Sequence, residues 1–175
     1  MGVTIHYEGR LRSPSDFEKL IRISTNFATQ NGIDFQHVNE AYKRLLRIRD
    51  AKESNYTGPV KGLILHPGLN CEWLNLEFDK DYYCQDSCKT QFADIEVHIG
   101  IIELLKQLEP LFEWIKVVDD GEYYETGSFD RLEEHIEAAN DNFIAAKSKN
   151  PHLIGPVKGK NGRIIDLLNT RDKDN

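Results

Sequence analysis

The segment "ADIEVHIGIIELLKQLEPLF" (93–112) constrains the fold more than any other part of the chain. Its apolar side chains recur at helical spacing and cover most of the circumference of the helix, which is typical of a helix buried on several sides. Asp94 is placed to cap this helix, and Pro110 is expected to end or kink it. The apolar positions are Ile95, Val97, Ile99, Ile101, Ile102, Leu104, Leu105, Leu108 and Phe112.

The other elements are predicted from alternation and helical spacing. Apolar and polar residues alternate over 3–8, which indicates a half-buried strand. Ser13, Pro14 and Asp16 form a capping box that opens a helix, and Ser128 caps a last helix. Strands are predicted at 59–67 and 71–78, paired as a hairpin, then at 82–91 and 114–118. Residues 33–56 are ambiguous: the first part is interpreted as a loop or short helix, and the second stays open, with an edge strand as one reading.

The predicted element order is β-α-β-β-β-α-β-α, which favours an α+β fold with a mixed, mostly antiparallel sheet and helices on one face. We expect one domain over residues 1–148. The tail, 149–175, changes composition, and its Asn161-Gly162 dipeptide suits a tight turn, so we expect a short hairpin or a short helix there.

Charge is concentrated in one region. The net charge is −7, and residues 117–141 hold nine acidic residues and one basic residue. Such a region repels nucleic acid and attracts a basic partner or a cation, although a solvated acidic helix face is the simpler reading. The chain has no apolar run of membrane-spanning length and no secretory pattern, and its three cysteines are an odd number, so we expect a cytoplasmic protein with reduced thiols.

Two polar segments are predicted to meet. A helix that joins two strands of one sheet usually makes them parallel, so the strands at 82–90 and 114–118 should end at the same sheet edge. Ligands often bind at such an edge. We expect Lys89 within salt-bridge reach of the 119–125 loop, although the same residues could be purely structural, with His98 a hydrogen-bonded core histidine. The candidate binding residues are Lys89, Thr90, Gln91, His98, Asp119, Asp120, Glu122, Tyr123, Tyr124 and Glu125.

A zinc site is a weaker hypothesis. It would use His66, Cys71, Cys84 and Cys88, but residues four apart on a strand lie about 13 Å apart, so the site would require 84–88 to be a loop. Phosphate-loop and dinucleotide-binding motifs are absent from the sequence. No cofactor is required by the sequence.

Several segments together resemble a family of uncharacterised bacterial proteins. The matching segments follow in family order and cover roughly residues 1–145: Thr4–Tyr7, Lys61–Pro67, Cys71–Asp79, "KTQFADIEVH" (89–98) and "DDGEYYETG" (119–127). The family has no assigned activity. The resemblance fits the view that the last two segments belong to one site.

Two functions from different classes follow. The first is a non-enzymatic binding or interaction module with an acidic loop, whose partner is a basic protein or a small-molecule ligand. The second is a small hydrolase-like enzyme in which the carboxylates of Asp119, Glu122 or Glu125, with Lys89 and His98, hold a divalent cation or act as a general base. Whether the protein is an enzyme stays open at this stage, as does its substrate.

Overall fold

The computed structural model describes residues 2–173 and confirms the α+β class. Up to α2 and β6 the main helices and strands follow one another in the predicted order, except between residues 33 and 56. The main elements are β1 (Thr4–Leu11), α1 (Pro14–Gln30), β2 (Asp34–Arg49), β3 (Lys52–His66), β4 (Leu74–Phe78), β5 (Tyr83–Lys89), α2 (Ile95–Leu108), β6 (Phe112–Asp119), α3 (Tyr123–Thr126) and α4 (Phe129–Lys149). The tail contains β7 (Leu153–Ile154), β8 (Val157–Lys158), β9 (Ile164–Ile165) and β10 (Leu168–Asn169).

Strands β1 to β6 form two antiparallel three-stranded sheets that lie side by side. β1 lies between β5 and β6 and is antiparallel to both, and β3 lies between β2 and β4. Backbone hydrogen bonds at both ends join the region of β4 to that of β5: Glu72 donates to Lys89 at 2.9 Å, and Asp79 to Tyr83 at 3.0 Å. β4 thus lies beside β5, and helices follow β1 and β5 in the chain.

Helices α1 and α2 cover one face of these strands and form the main core with them. The prediction that α2 is buried is confirmed, since Ile101, Leu104 and Leu105 are all at most 2% exposed. Ser13 caps α1 by accepting from the Asp16 amide at 3.1 Å, as predicted. Asp94 occupies the N-cap position of α2, but its side chain makes no capping hydrogen bond.

The prediction of a loop or short helix after residue 33 is wrong. Residues 34–49 form the long strand β2, which pairs with β3 across a turn where Asp50 and Ala51 have φ values of 50° and 60°. Two positive φ values are what a two-residue hairpin turn requires. Phe35, Val38, Tyr42, Leu45 and Leu46 recur at helical spacing in the sequence. This spacing was misleading because Tyr42 and Leu46 are exposed rather than part of a buried stripe.

We call the distal part of this hairpin, residues 43–58, the arm. The part of β2 that belongs to the arm folds over one face of the β5-β1-β6 sheet, the face that the helices leave open. Gln85 fixes it: its side chain accepts from the Ile48 amide and donates to the Ile48 carbonyl, each at 2.8 Å. Arg47 adds hydrogen bonds to the carbonyls of Tyr83 and Gln85, both at 3.3 Å. These contacts join the arm to β5.

The tail packs against the same open side. β8 pairs with β9 across a turn containing Gly162, whose φ is +78°, so a hairpin forms as one of the two predicted alternatives. Lys158 donates to the carbonyls of Gly68 at 2.9 Å and Cys71 at 2.6 Å. Within residues 2–173, no helix is both long enough and apolar enough to cross a membrane.

Candidate functional site

The two polar segments meet at one sheet edge, as predicted. β5 and β6 run in the same direction on either side of β1, so both end near the start of β1. The contact between the segments passes through α2. The Thr90 hydroxyl lies 2.7 Å from His98 Nδ1, and His98 Nε2 lies 3.2 Å from Asp119 Oδ2. We call Thr90, His98 and Asp119 the edge junction.

The edge junction is closed to solvent. His98 is 0% exposed, Thr90 1% and Asp119 5%. Because a carboxylate only accepts hydrogen bonds, His98 Nε2 carries a hydrogen toward Asp119, and in the neutral ring Nδ1 then accepts from the Thr90 hydroxyl. A chain of satisfied hydrogen bonds in a dry interior stabilises a unique packing. It offers no free group to a substrate.

Asp119 also shapes the loop that follows β6. Its Oδ1 accepts from the Gly121 amide at 2.8 Å, and its Oδ2 accepts from the Tyr124 amide at 2.9 Å. A side chain at position 121 would not fit, since a Cβ there would lie 2.5 Å from Leu132 Cδ1 and 3.3 Å from His98 Cε1. The sequence "DDGEYY" is therefore explained by a carboxylate that caps its own loop.

Lys89 does not reach this loop. Its ammonium group lies 2.6 Å from Asp166 of the tail, and within residues 2–173 it has no ion pair with residues 119–125, so that prediction is wrong. The reason is the pleat of β1. Lys89 pairs with Thr4, whereas Asp119 pairs with the next residue, Ile5. Successive residues of a strand point to opposite faces, so Lys89 faces the open side and Asp119 faces the helices.

The remaining candidate residues lie apart from one another. Asp120 Oδ2 accepts from the Thr4 amide at 3.2 Å and lies 3.8 Å from His6 Nε2. Glu122 pairs with Arg131 at 2.6 Å. Gln91 is 2% exposed and donates to Asn140 at 3.2 Å. The exposed Glu125 makes no side-chain hydrogen bond or ion pair within the described residues.

The tyrosines pack against the rest of the chain rather than form an open site. Tyr123 packs against the main core, and the ring of Tyr124 lies 5.3 Å from the Lys106 ammonium, within cation–π range. This matches the structural alternative considered for these residues. The outcome is one buried cluster and a set of separate surface contacts.

The hypothetical zinc ligands are not assembled into a metal site. Cys84 and Cys88 lie on a regular strand, and His66 stacks on Trp73 with ring centroids 4.3 Å apart. Cys71 and Cys88 are in contact, with sulfur atoms 3.8 Å apart, and all three cysteines are free and buried. In the part of the chain that the structure describes, no three His, Cys, Asp or Glu side chains are grouped to hold one metal ion.

The structure forms a second polar region that the sequence interpretation missed. Between the arm and the open face of the sheet lies a cavity of about 690 Å³, which we call the cleft. Its sheet wall is formed by outward-facing residues of β1, β5 and β6, which are in register across the ladder. The arm residues 43–48 form the opposite wall, and Arg163 of the tail closes one end. The sheet wall includes His6, Glu8, Gln85, Ser87, Lys116 and Val118.

Ion pairs and hydrogen bonds hold the carboxylates of the cleft. Arg163 pairs with Asp86 and with Glu72, the latter at 3.2 Å. Partial burial would lower the pKa of Arg163, but the carboxylates of Asp86 and Glu72 outweigh burial and raise this pKa. Lys43 pairs with Glu77 at 2.5 Å, and its pKa is raised because this carboxylate outweighs the effect of burial. These pairs fix the tail and the base of the arm to the sheet.

Alternation alone gave part of this result. The pattern of "VTIHYE" correctly places His6 and Glu8 on the outward face of β1. However, nothing in the sequence indicates that the arm folds back over that face, so the sequence alone predicts an ordinary solvated surface for the wall residues. Comparisons with protein-family models, with curated proteins and with solved structures find no significant match to this chain.

Proposed function

We propose that this protein is a binding protein whose small-molecule ligand occupies the cleft between the arm and the open sheet face. The observation that carries the proposal is the cavity itself. Its volume of about 690 Å³ lies within the range of roughly 300–1,000 Å³ that is usual for small-molecule pockets. Charged, polar and apolar side chains all line it, and small-molecule sites commonly combine apolar walls with a few polar groups that fix the orientation of the ligand.

Binding accounts for the cleft better than catalysis does. A hydrolase needs a nucleophile and a base within hydrogen-bond reach, together with a stabiliser of the developing charge. Ser87 and His6 are cross-strand neighbours in the cleft, but within residues 2–173 their side chains do not hydrogen-bond to each other. The alternative based on His98 and the loop carboxylates has His98 and Asp119 buried without an opening to substrate.

In this proposal, the acidic loop supports the sheet edge rather than receiving the ligand. Its buried carboxylate, Asp119, already accepts hydrogen bonds from His98 and from two backbone amides of the loop. The loop thereby holds the end of β6, and with it the part of the sheet wall that contains Lys116 and Val118. A role for the exposed carboxylates of α4 toward a basic protein partner is a separate hypothesis.

The proposal is tested by blocking the cleft. Val118 is 45% exposed and lines the cavity, so Val118→Trp should fill the space without disturbing the core, whereas Val118→Ala leaves it open. A metabolite library is screened by thermal shift against the wild type. A ligand present at about 100 times its Kd adds roughly 2.7 kcal/mol of stability. Ligands should stabilise the wild type and Val118→Ala but not Val118→Trp, and equal stabilisation of Val118→Trp would contradict the proposal.

A further inference from the structure

The carboxylates of the cleft all have partners within the protein, whereas two of its cations have none among the described residues. All four carboxylates that line it already have partners within the protein. Asp86 and Glu72 pair with Arg163, Glu77 pairs with Lys43, and Glu8 accepts from the Tyr83 hydroxyl and the Gln85 amide, both at 3.1 Å. Arg44 and Lys116, in contrast, make no ion pair and no side-chain hydrogen bond within residues 2–171, although both line the cavity. The uncommitted charge in the cleft is therefore positive.

A second cavity of about 510 Å³ continues this pattern along the same face. It shares Glu8, Ile48, Gln85 and Lys116 with the cleft, so the two form one groove. Among the described residues, the whole groove is lined by seven cationic side chains and five carboxylates, although the protein as a whole has a net charge of −7. The cations are Arg10, Lys43, Arg44, Arg47, Arg49, Lys116 and Arg163.

The cleft also has apolar wall residues whose side chains are about half exposed. Leu46 is 53% exposed, Ile48 52% and Val118 45%, and all three line the cavity. Two of them belong to the arm and one to the sheet, so an apolar body placed between the walls would cover side chains from both. A groove with uncommitted cations and apolar walls favours a ligand that has an anionic group on an apolar body.

We propose that the ligand of the cleft is a small amphipathic anion, a carboxylate or a phosphate attached to an apolar or aromatic body, whose anionic group binds between Arg44 and Lys116. This inference rests on the proposed binding function and adds the chemical class of the ligand. Arg44 belongs to the arm and Lys116 to β6, so an anion bound to both bridges the two walls. The arm and the sheet then contribute one cation each to a charge-assisted pair with the ligand.

Four probes separate the charge from the apolar body. Benzoate and phenyl phosphate have the anionic group on an aromatic ring, whereas benzamide and benzyl alcohol keep the ring without the charge. Each probe is titrated into isotope-labelled full-length protein while backbone amide shifts are followed by NMR. We expect at least one anion to shift the amides of 44–48 and 116–118, with a Kd at least about tenfold lower than that of either neutral probe, a difference of about 1.4 kcal/mol.

Matched variants test the two cations. Arg44→Gln combined with Lys116→Gln should weaken binding of the anion at least about tenfold. The control combines Arg22→Gln in α1 with Lys149→Gln at the end of α4, since both residues are exposed and neither lines the groove. The control should bind the anion as the wild type does. A rise in Kd with added salt should accompany binding, because partly exposed charges are screened.

Each outcome decides the question. Binding of benzoate alone identifies a carboxylate, and binding of phenyl phosphate alone a phosphate, and either result supports the inference. If the neutral probes bind in the cleft as tightly as the anions, or if the double variant binds the anion as the wild type does, the charge inference is overturned while the binding function stands. If no probe shifts a cleft amide, the inference is also overturned. Failure of the binding function itself is measured separately by the Val118→Trp comparison.

Discussion

The edge junction and the cleft are both polar, but they use their polar groups in opposite ways. In the edge junction every strong donor and acceptor of Thr90, His98 and Asp119 is directed at another part of the same chain, and the cluster is closed to water. In the cleft the carboxylates are satisfied, but Arg44 and Lys116 line the cavity without an ion pair or a side-chain hydrogen bond to residues 2–171. Satisfied buried groups stabilise a fold, whereas uncommitted groups around a cavity are available for a ligand.

The largest expected effect tests the edge junction. Asp119→Ala removes the acceptor for His98 and for two backbone amides, and leaves three donors unsatisfied, two of them buried and the Tyr124 amide partly buried. We expect the free energy of unfolding to fall by about 3–5 kcal/mol, since each unsatisfied buried donor costs about 1–3 kcal/mol. Urea denaturation measures this. Glu125→Ala, on the exposed part of the same loop, should cost less than about 0.5 kcal/mol. Equal losses for the two variants would show that the junction carries no special stability.

The second prediction concerns a buried thiol on the helix side of β5. Burial raises the pKa of Cys84 from its ordinary 9.0 to about 12. Between these two pH values the Cys84 thiol keeps its proton in the folded state but loses it in the unfolded chain. Its titration therefore does not lower the free energy of unfolding below pH 9, but lowers it progressively as the pH rises toward 12. Three pKa units correspond to about 4 kcal/mol over that range. Cys84→Ala should lose less stability with rising pH than the wild type does.

Urea denaturation at several alkaline pH values checks this pH dependence. Leu104→Ala is a suitable control because Leu104 is buried but has no titrating group. The loss in free energy of unfolding of Leu104→Ala relative to the wild type should stay constant with pH. The corresponding loss of Cys84→Ala should shrink as the pH rises. A constant deficit for both variants would show that the thiol does not titrate as its burial implies. The buried Tyr7, whose pKa is raised chiefly by burial, remains as a contribution in every variant.

A smaller effect is expected where the tail meets the sheet. Lys89→Ala removes a partly exposed pair with Asp166 and should cost about 1 kcal/mol, because such pairs are only modestly stabilising. The loss should be local, so amide hydrogen exchange in residues 153–169 should accelerate more than exchange in α2. Lys160→Ala, at an exposed position of the tail, is the control and should change neither rate. Unchanged exchange in Lys89→Ala would show that this pair does not anchor the tail.

The smallest effect is expected in the cleft. Arg44→Gln and Lys116→Gln should each change the free energy of unfolding by less than about 0.5 kcal/mol, since neither residue has a partner to lose within the described chain. Differential scanning calorimetry is sufficient to check this. A loss above about 1 kcal/mol for either variant would indicate that the residue supports the fold. That result would remove the contrast between the cleft and the edge junction.

Local sequence patterns predicted most elements, but they predicted the candidate site only in part. Capping residues and periodicity located α1, α2 and α4, and alternation located β1 and the β3–β4 hairpin. The same patterns failed at residues 34–49, because Tyr42 and Leu46 are exposed on a strand rather than buried on a helix. The convergence of the segments after β5 and β6 was predicted correctly, whereas the pairing of Lys89 with the loop was not.

What the sequence determined by itself is most of the elements, with the exception of β2, and the shared direction of β5 and β6. The buried α2 between β5 and β6 was enough to bring Thr90 and Asp119 to one edge, because a crossover helix makes the strands it joins parallel. What only the tertiary structure decided is which face each side chain occupies and what covers that face. The register of the ladders placed Lys89 and Asp119 on opposite faces of the sheet. Hydrogen bonds between Ile48 and Gln85, which are 37 residues apart, folded the arm over the sheet and created the cleft, and no local pattern contains that contact.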